Sequence, residues 1–320
     1  MGPPGGTAIV SLGANLGDSE RTIQTAASML RESCGPAAVR FSSLLLSPPV
    51  GGPAGQDPFY NAACAIEGSA GVFELWHKLR EIESALGRRR EHRWESRRID
   101  LDILLFGDQR WWTPHLKVPH PRMATRSFAV LPAAEIAPRQ IDPVSGLPLE
   151  SLASRLAYPA DWPIGGIPVR PMKRTGRVVV CSVASVDLPS LSRLYREQVQ
   201  ASDGVQIEFI PLTADQHPDA TSLAQIDCQA GQGDCLLLVL AARNPDPLTA
   251  AWEDFAAPWA SLLGMRESAG AGEFSPAAWP LAKYLLDCHD ERWAAHELAA
   301  AVTAMSCRFE VASPGGGWAA

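Results

Sequence analysis

No stretch of this 320-residue chain approaches ~18 consecutive apolar residues, so a membrane-spanning helix is not expected. No cationic segment leads into an apolar one near the start, where the chain runs straight into TAIVSLGANLG. Without a visible secretory leader, a cytoplasmic setting is expected. No CxxC pair occurs among the seven cysteines, Cys34, Cys64, Cys181, Cys228, Cys235, Cys288 and Cys307. An odd count at irregular spacing, with apolar neighbours as in AACAI, reads as buried free thiols rather than disulfides or a zinc site. No GxxxxGK[ST] is present, so a P-loop does not hold phosphate here, and the glycines of SLGANLG suit a strand-to-helix turn. An excess of positive charge is also missing. Lys and Arg number 28 against 35 Asp and Glu, a net charge of −7 that argues against general nucleic-acid binding. What is there is globular: 46% hydrophobic and 20% charged residues can bury a core, at a length suited to about two domains.

Charge divides the chain unevenly. Residues 1–170 carry 18 basic and 17 acidic residues, whereas residues 171–320 carry 10 and 18. Between them YPADWPIGGIPVRPMKRTG has four prolines and three glycines in 19 residues, the composition of an extended connector. We therefore divide the chain into a first domain at 1–160, a linker at 161–176 and a second domain at 177–320. In the first, TAIVSLG reads as a strand, and Asp18 as the N-cap of a helix with Ile23, Ala26, Ala27 and Leu30 on one face. VRFSSLLLS reads as one strand and YNAACAIE as another. A helix over 72–86 presents Leu75, Leu79, Ile82 and Leu86 and stops at Gly87. RRIDLDILLFG then alternates as a strand, and the whole predicts a compact α+β sandwich.

The segment GRRREHRWESRRIDLDILLFG concentrates the chemistry. Six arginines fall within residues 88–98, and Asp100 and Asp102 follow at alternate strand positions. Period two puts both carboxylates on one face, about 6–7 Å apart, while Ile99, Leu101 and Ile103 point to the other. Two carboxylates on a rigid strand can hold Mg²⁺, and arginine forks suit polyphosphate, so together they describe a Mg–nucleotide site. Taken singly, an Asp-x-Asp strand is as well a solvated edge and an arginine run a solvated loop.

The first ~155 residues resemble the 6-hydroxymethyl-7,8-dihydropterin pyrophosphokinase family. Four pieces stand in family order: SLGANLGD, SPPVGGPAGQDPFYNAA, GRRREHRWESRRIDLDILLFG and VPHPRMATRSFAVLPAAEIAP. The resemblance implies a ferredoxin-like α+β sandwich that moves the β,γ-pyrophosphoryl unit of ATP, as co-substrate, to a pterin hydroxymethyl group and releases AMP. It further implies that Asp100 and Asp102 bind two Mg²⁺ ions, and that Arg88 and Arg97 close over the transferring group. Glu83, Arg90, Arg93, Trp94, Ile103, His120 and Arg126 are implied near ATP. Phe59 and Phe128 are implied to sandwich the pterin, with Asn61 on its edge and Ser47, Pro48 and Val50 lining the pocket. Glu95-Ser96 replaces a frequent glycine-proline, Arg98 a frequent threonine, and Phe59 a frequent tyrosine.

No motif of dihydropteroate synthase or dihydroneopterin aldolase is found in residues 173–320, and that length is too short for a (β/α)₈ barrel. RVVVCSVAS, LPSLSRLYREQVQ, VQIEFIPL and DCLLLVLAA read as strand, helix, strand and strand, which predicts a second α/β domain with a parallel or mixed sheet. Helices are predicted around 249–263 and 277–305. Asp187, Arg243, Asn244 and Asp246 follow predicted strands, where a ligand role and loop capping explain them equally. ATP and a hydroxymethyl dihydropterin are the expected partners, with no nucleic acid, no membrane, and docking of the acidic second domain onto the first as an open possibility. The alternative is a weakened homologue kept as an ATP- and pterin-binding regulatory or scaffold protein, its main role in the second domain.

Overall fold

The computed structural model describes residues 6–50, 55–69, 71–88, 96–113, 115–154, 156, 175–182, 187–199, 206–213, 235–242, 282–287, 290–305 and 309–319. The first part is an antiparallel sheet with helices packed on it. Its strands are β1 (Ala8–Ala14), β2 (Val39–Phe41), β3 (Leu44–Ser47), β4 (Phe59–Ile66) and β5 (Asp100–Phe106). β4 pairs with β1, β2 and β3, and β1 pairs with β5, all antiparallel. Ala62, Ala63, Cys64 and Ala65 fill the middle of β4 with small, fully buried side chains, so both faces of the sheet can be approached closely.

Period two sends alternate β1 residues to different cores. Val10 and Leu12 pack under helices α1 (Ser19–Cys34) and α2 (Val72–Ala85). Ile9 packs on the opposite face with α3 (Ser127–Ile136) and α4 (Leu149–Ala153). As predicted, the Asp18 carboxylate accepts from the Arg21 amide at 3.2 Å, and Ile23, Ala26, Ala27 and Leu30 are the buried face of α1. α2 ends where Gly87 takes a φ of 78°, a left-handed conformation open to glycine. Trp111–Trp112 (β6) and Lys117–Val118 (β7) form a two-stranded ribbon.

VRFSSLLLS is two strands, not one. Phe41 faces Cys64 but Leu45 faces Asn61, so four steps on one strand match three on the other, which is a β-bulge. The bulge has its own partners. Ser43 N donates to both Glu135 carboxylate oxygens at 2.9 and 3.1 Å, and Ser42 Oγ accepts from the Ala63 amide at 2.9 Å.

Beyond the connector, β8 (Thr175–Ser182) pairs in parallel with β9 (Gln206–Thr213) and with β10 (Cys235–Ala242), and β10 pairs in parallel with β11 (Ala282–Asp287). Residues 282–287, predicted as helix, are therefore strand. AKYLLD is a short apolar run with no period of its own, and its backbone groups are taken by β10. Helix α5 (Leu188–Val199) starts at Asp187, whose carboxylate accepts from the Ser190 amide at 3.2 Å, the capping alternative. Arg243, Asn244, Asp246 and the predicted helix at 249–263 lie outside the described residues.

The chain then returns to its first sheet. Helix α6 (Glu291–Met305) places Ala294, Ala295, Leu298, Ala301, Val302 and Met305 in the same apolar cluster as α3 and α4, and α5 adds Leu191 and Tyr195. β12 (Glu310–Ser313) pairs with β3 and becomes the last strand on that side. The tail closes over the bulge: Trp318 Nε1 donates to Ser42 O at 2.7 Å, and its ring meets Phe41 edge-on at 5.5 Å. A Cβ on Gly316 would lie 2.5 Å from Phe41 O, so a glycine is required for this approach. Among the described residues, no helix is long and apolar enough to cross a membrane.

Candidate active site

One cavity of about 230 Å³ opens over the middle of the first sheet. Its floor is set by register. Gly13 lies between Asn61 of β4 and Asp100 of β5, and Ser11 lies opposite Asp102. Asp100 and Asp102 face the cavity together, while Ile99, Leu101 and Ile103 join the core under α1 and α2, as alternation predicts. Ser47, Pro48, Val50 and Phe59 line one side with Asn61, and Phe128, Arg97 and Arg126 line another.

The peptide between the two aspartates is clamped. β5 ends the sheet order, so the outward N–H and C=O of Leu101 have no neighbouring strand. Glu83 Oε1 accepts from Leu101 N at 2.8 Å, and Arg80 Nη2 donates to Leu101 O at 2.8 Å. The two side chains pair with each other at 2.7 Å, three residues apart on α2. Glu83 is 2% exposed, and burial pushes its pKa up while Arg88 and the Leu101 amide pull against that.

Charge around the aspartates is uneven. Arg88 bonds to Glu83 and lies 2.8 Å from Asp100 Oδ1, while Arg97 bonds to Asp100 Oδ2. Burial opposes the Asp100 carboxylate, but Arg97 and Arg88 outweigh it and hold its pKa below the usual range. Asp102 has Arg80 at 3.7 Å and His120 at 3.8 Å, and is pushed up to about 6 by burial and by the Asp100 charge. His120 is half-buried near Arg126 and Arg122, and desolvation plus those cations hold it well below its usual range, which favours the neutral ring. Its Nδ1 accepts from the Arg122 amide at 3.1 Å, which leaves the proton on Nε2, facing Asp102.

The aromatic side is ordered by hydrogen bonds. Asn61 Nδ2 donates to Ser47 Oγ at 2.8 Å and to Phe59 O at 3.1 Å. The Arg126 guanidinium stands 5.7 Å from the centre of the Phe128 ring.

Of the residues singled out in the sequence, ten line this cavity: Ser47, Pro48, Val50, Phe59, Asn61, Arg97, Asp100, Asp102, Arg126 and Phe128. Arg88 and His120 reach it through the aspartates, Glu83 stands behind them on Arg88 and the Leu101 amide, and Ile103 is buried in the core on the other face of β5. Arg90, Arg93 and Trp94 lie outside the described residues. Gly13, Gln56 and Arg122 also line the cavity, and sequence reasoning missed them. For Gly13 a signal existed: it stands two residues beyond Ser11 on the same strand face.

Residues 9–138 match the model of the 7,8-dihydro-6-hydroxymethylpterin-pyrophosphokinase family. The 2-amino-4-hydroxy-6-hydroxymethyldihydropteridine pyrophosphokinase of Bacillus subtilis is 42% identical over 129 residues, 40% of this chain and 77% of that protein. The chain belongs to this family. It is a pyrophosphokinase of folate biosynthesis, a transferase. The Pseudomonas aeruginosa pyrophosphokinase of the same name is 40% identical over 129 residues, 40% of this chain and 79% of that one. The Synechocystis pyrophosphokinase is 35% identical over 157 residues, 49% of this chain and 80% of that one. A solved Plasmodium falciparum HPPK-DHPS with pterin and p-hydroxybenzoate aligns at a TM-score of 0.38 and 11% identity, over 76% of this chain and 69% of that one, too loosely to bear on fold or function.

Proposed function

We propose that the protein transfers pyrophosphate from ATP to 6-hydroxymethyl-7,8-dihydropterin in a Mg²⁺-dependent reaction, giving AMP and the pterin diphosphate. The observation that carries this reading is the shared cavity: two carboxylates and three arginines line the same space as Phe59, Asn61 and Phe128. A flat, polar heterocycle suits two aromatic faces and an amide on its edge. A polyphosphate suits the arginines.

The donor set fits Mg²⁺. Asp100 and Asp102 are hard oxygen ligands whose mutual repulsion a cation relieves. Among the described residues, no group of three or more His, Cys, Asp or Glu side chains is placed to hold a metal. That suits an ion completed by phosphate oxygens and water. Asp100 and Asp102 would hold two such ions, which supply charge neutralisation at the phosphates.

The chain's own residues do the rest. Phe59, Phe128 and Asn61 hold the pterin with its hydroxymethyl group toward the aspartates. Arg126 and His120 border the nucleotide end, and Glu83 with Arg80 fixes the strand beneath. The hydroxyl oxygen attacks the β-phosphorus and gives up its proton to water, the bond from that phosphorus to the oxygen bridging to the α-phosphorus breaks, and AMP leaves with that bond's electron pair. Arg88 and Arg97 change partner from Asp100 to the phosphoryl oxygens as charge develops there. Arg90, Arg93 and Trp94 complete the ATP side in this reading. In this reading residues 177–320 are the second, α/β domain after the 161–176 linker, with α6 and β12 packed onto the first sheet, and the setting is the cytoplasm.

The test is AMP release from ATP and Mg²⁺ with and without the pterin. AMP formed only with pterin present supports the reading. A folded protein that gives no turnover overturns it and favours the binding-only alternative.

A further inference from the structure

The last helix of the chain reaches the wall of the cavity. Glu297, on α6, is 1% exposed, and its Oε1 lies 2.6 Å from Arg122 Nη2. One turn further on, Ala300, Ala301 and Ala304 border a small recess together with Val50, Arg122, Arg126 and Phe128. Those last four residues also line the main cavity, so the two spaces share a wall. Small alanine side chains bring the helix backbone close enough for Ser127 Oγ to donate to Ala304 O at 3.0 Å. Ser127 stands between Arg126 and Phe128 in the sequence, so α6 grips the start of α3, which supplies both.

A buried carboxylate needs a cation and good geometry to remain charged. Glu297 has that cation in Arg122, whose backbone amide also holds His120 Nδ1 at 3.1 Å. One residue thus links the last helix to the His120 ring beside Asp102. We propose that Glu297 is a positioning residue for pyrophosphoryl transfer: it holds the Arg122 guanidinium at the cavity wall, ready for an anionic phosphate chain. The inference rests on the ATP–pterin reading above and extends it to the second half of the chain.

The physical reason is pre-organisation. An unheld arginine loses rotamer freedom when it meets its ligand, and one already held by a buried carboxylate loses less. The effect belongs to ground-state binding in this proposal, because the Glu297 contact already holds Arg122 before ATP arrives. Glu297→Gln should therefore raise the KM for ATP about ten-fold and leave kcat within about two-fold. Arg122→Gln should do the same, and the double variant should be no worse than the more impaired single, because both act through one contact. Glu297→Asp keeps the charge on a shorter arm and should restore part of the lost affinity.

The full-length protein is assayed for AMP release, for binding of Mg²⁺ with a non-hydrolysable ATP analogue, and for Tm, in wild type and the four variants. An affinity shift in Glu297→Gln, shared with Arg122→Gln and not additive, supports the proposal. Unchanged KM and analogue affinity in Glu297→Gln overturns it, whether or not Tm falls, and leaves the pair a structural clamp. Additive shifts overturn it as well. Wild-type protein that binds the analogue without releasing AMP sinks the catalytic reading instead, while the analogue affinities still decide the role of Glu297.

Discussion

Asp100 and Asp102 are two residues apart and face one cavity, yet their surroundings set them apart. Asp100 is neutralised by Arg97 and Arg88, whereas Asp102 is raised to about 6 by burial and by Asp100. Replacing either by asparagine should cut kcat by at least about 10²–10³-fold, because a carboxylate facing the transferred phosphates is lost. Stability should move in opposite directions. Asp100→Asn takes the Asp100 carboxylate from Arg97 and leaves Arg88 with Glu83, which lowers Tm, while Asp102→Asn removes a repelled charge and raises it. The folded pKa of Asp102 lies above its unfolded value near 4, so the folded state binds more protons between those values and stability falls as pH rises through them. The Tm advantage of Asp102→Asn should thus be full above about pH 6 and vanish near pH 4. An advantage that persists at pH 4 would show that charge is not its source. Arg97→Ala should lower kcat on the order of 10²–10³-fold with little change in the KM for ATP. A pure KM effect in steady-state kinetics would make Arg97 a ground-state ligand. The pairing of the aspartates was legible because period two is a property of the strand itself. Phe59, Asn61 and Phe128 were legible only through the order of the motifs, since each alone reads as a core or turn residue. Arg122 with Glu297 was not legible: 175 residues separate them, and nothing local marks either as half of a pair.

At the level of elements, strands and helices with a clear period were readable, and the exceptions share a cause. VRFSSLLLS alternates well enough to read as one strand, but its bulge is dictated by Glu135, far away on α3. AKYLLD is strand because β10 lies beside it. Tertiary partners decide such segments, and a single sequence does not display them. The bulge matters to the site because β3 runs from it into Ser47 and Pro48. Glu135→Ala would leave the buried Ser43 amide without its acceptor and should cost about 1–3 kcal/mol of stability. Denaturant unfolding measures that loss. A cost near zero would show that the bulge forms without Glu135 and is fixed by Ser42 and the Trp318 tail. The Leu101 clamp works on the same principle. A helix pair, Arg80 and Glu83, stands where a neighbouring strand would be, and so holds the two aspartates on a strand at the end of the sheet.

For the whole molecule, the contact between its two halves decides what a truncation does. The Bacillus subtilis relative is spanned to 77% of its length by 129 aligned residues, which leaves it no room for a segment like 177–320. Strands β1 to β5 with α1 to α3 are thus the part held in common, and a fragment of residues 1–170 should fold. In this chain, however, Ala129, Val130, Leu131 and Ala133 of α3 share their cluster with α5 and α6, and β3 is paired by β12. Cutting after about residue 170 uncovers that apolar face and opens a strand edge, both of which favour self-association. It also removes Glu297 from Arg122. The fragment should therefore melt at lower temperature than the full chain, associate as concentration rises, and bind ATP more weakly by the factor seen in Glu297→Gln, while kcat is kept. Light scattering, Tm and steady-state kinetics on the fragment and the full chain measure the three effects separately. A fragment that stays monomeric with unchanged Tm and KM would show that the second half is a modular addition. A fragment that fails to fold would make the second half part of the first core. The expected result lies between these: an enzyme domain that folds by its own sheet, finished on one face and at one strand edge by the far end of its chain.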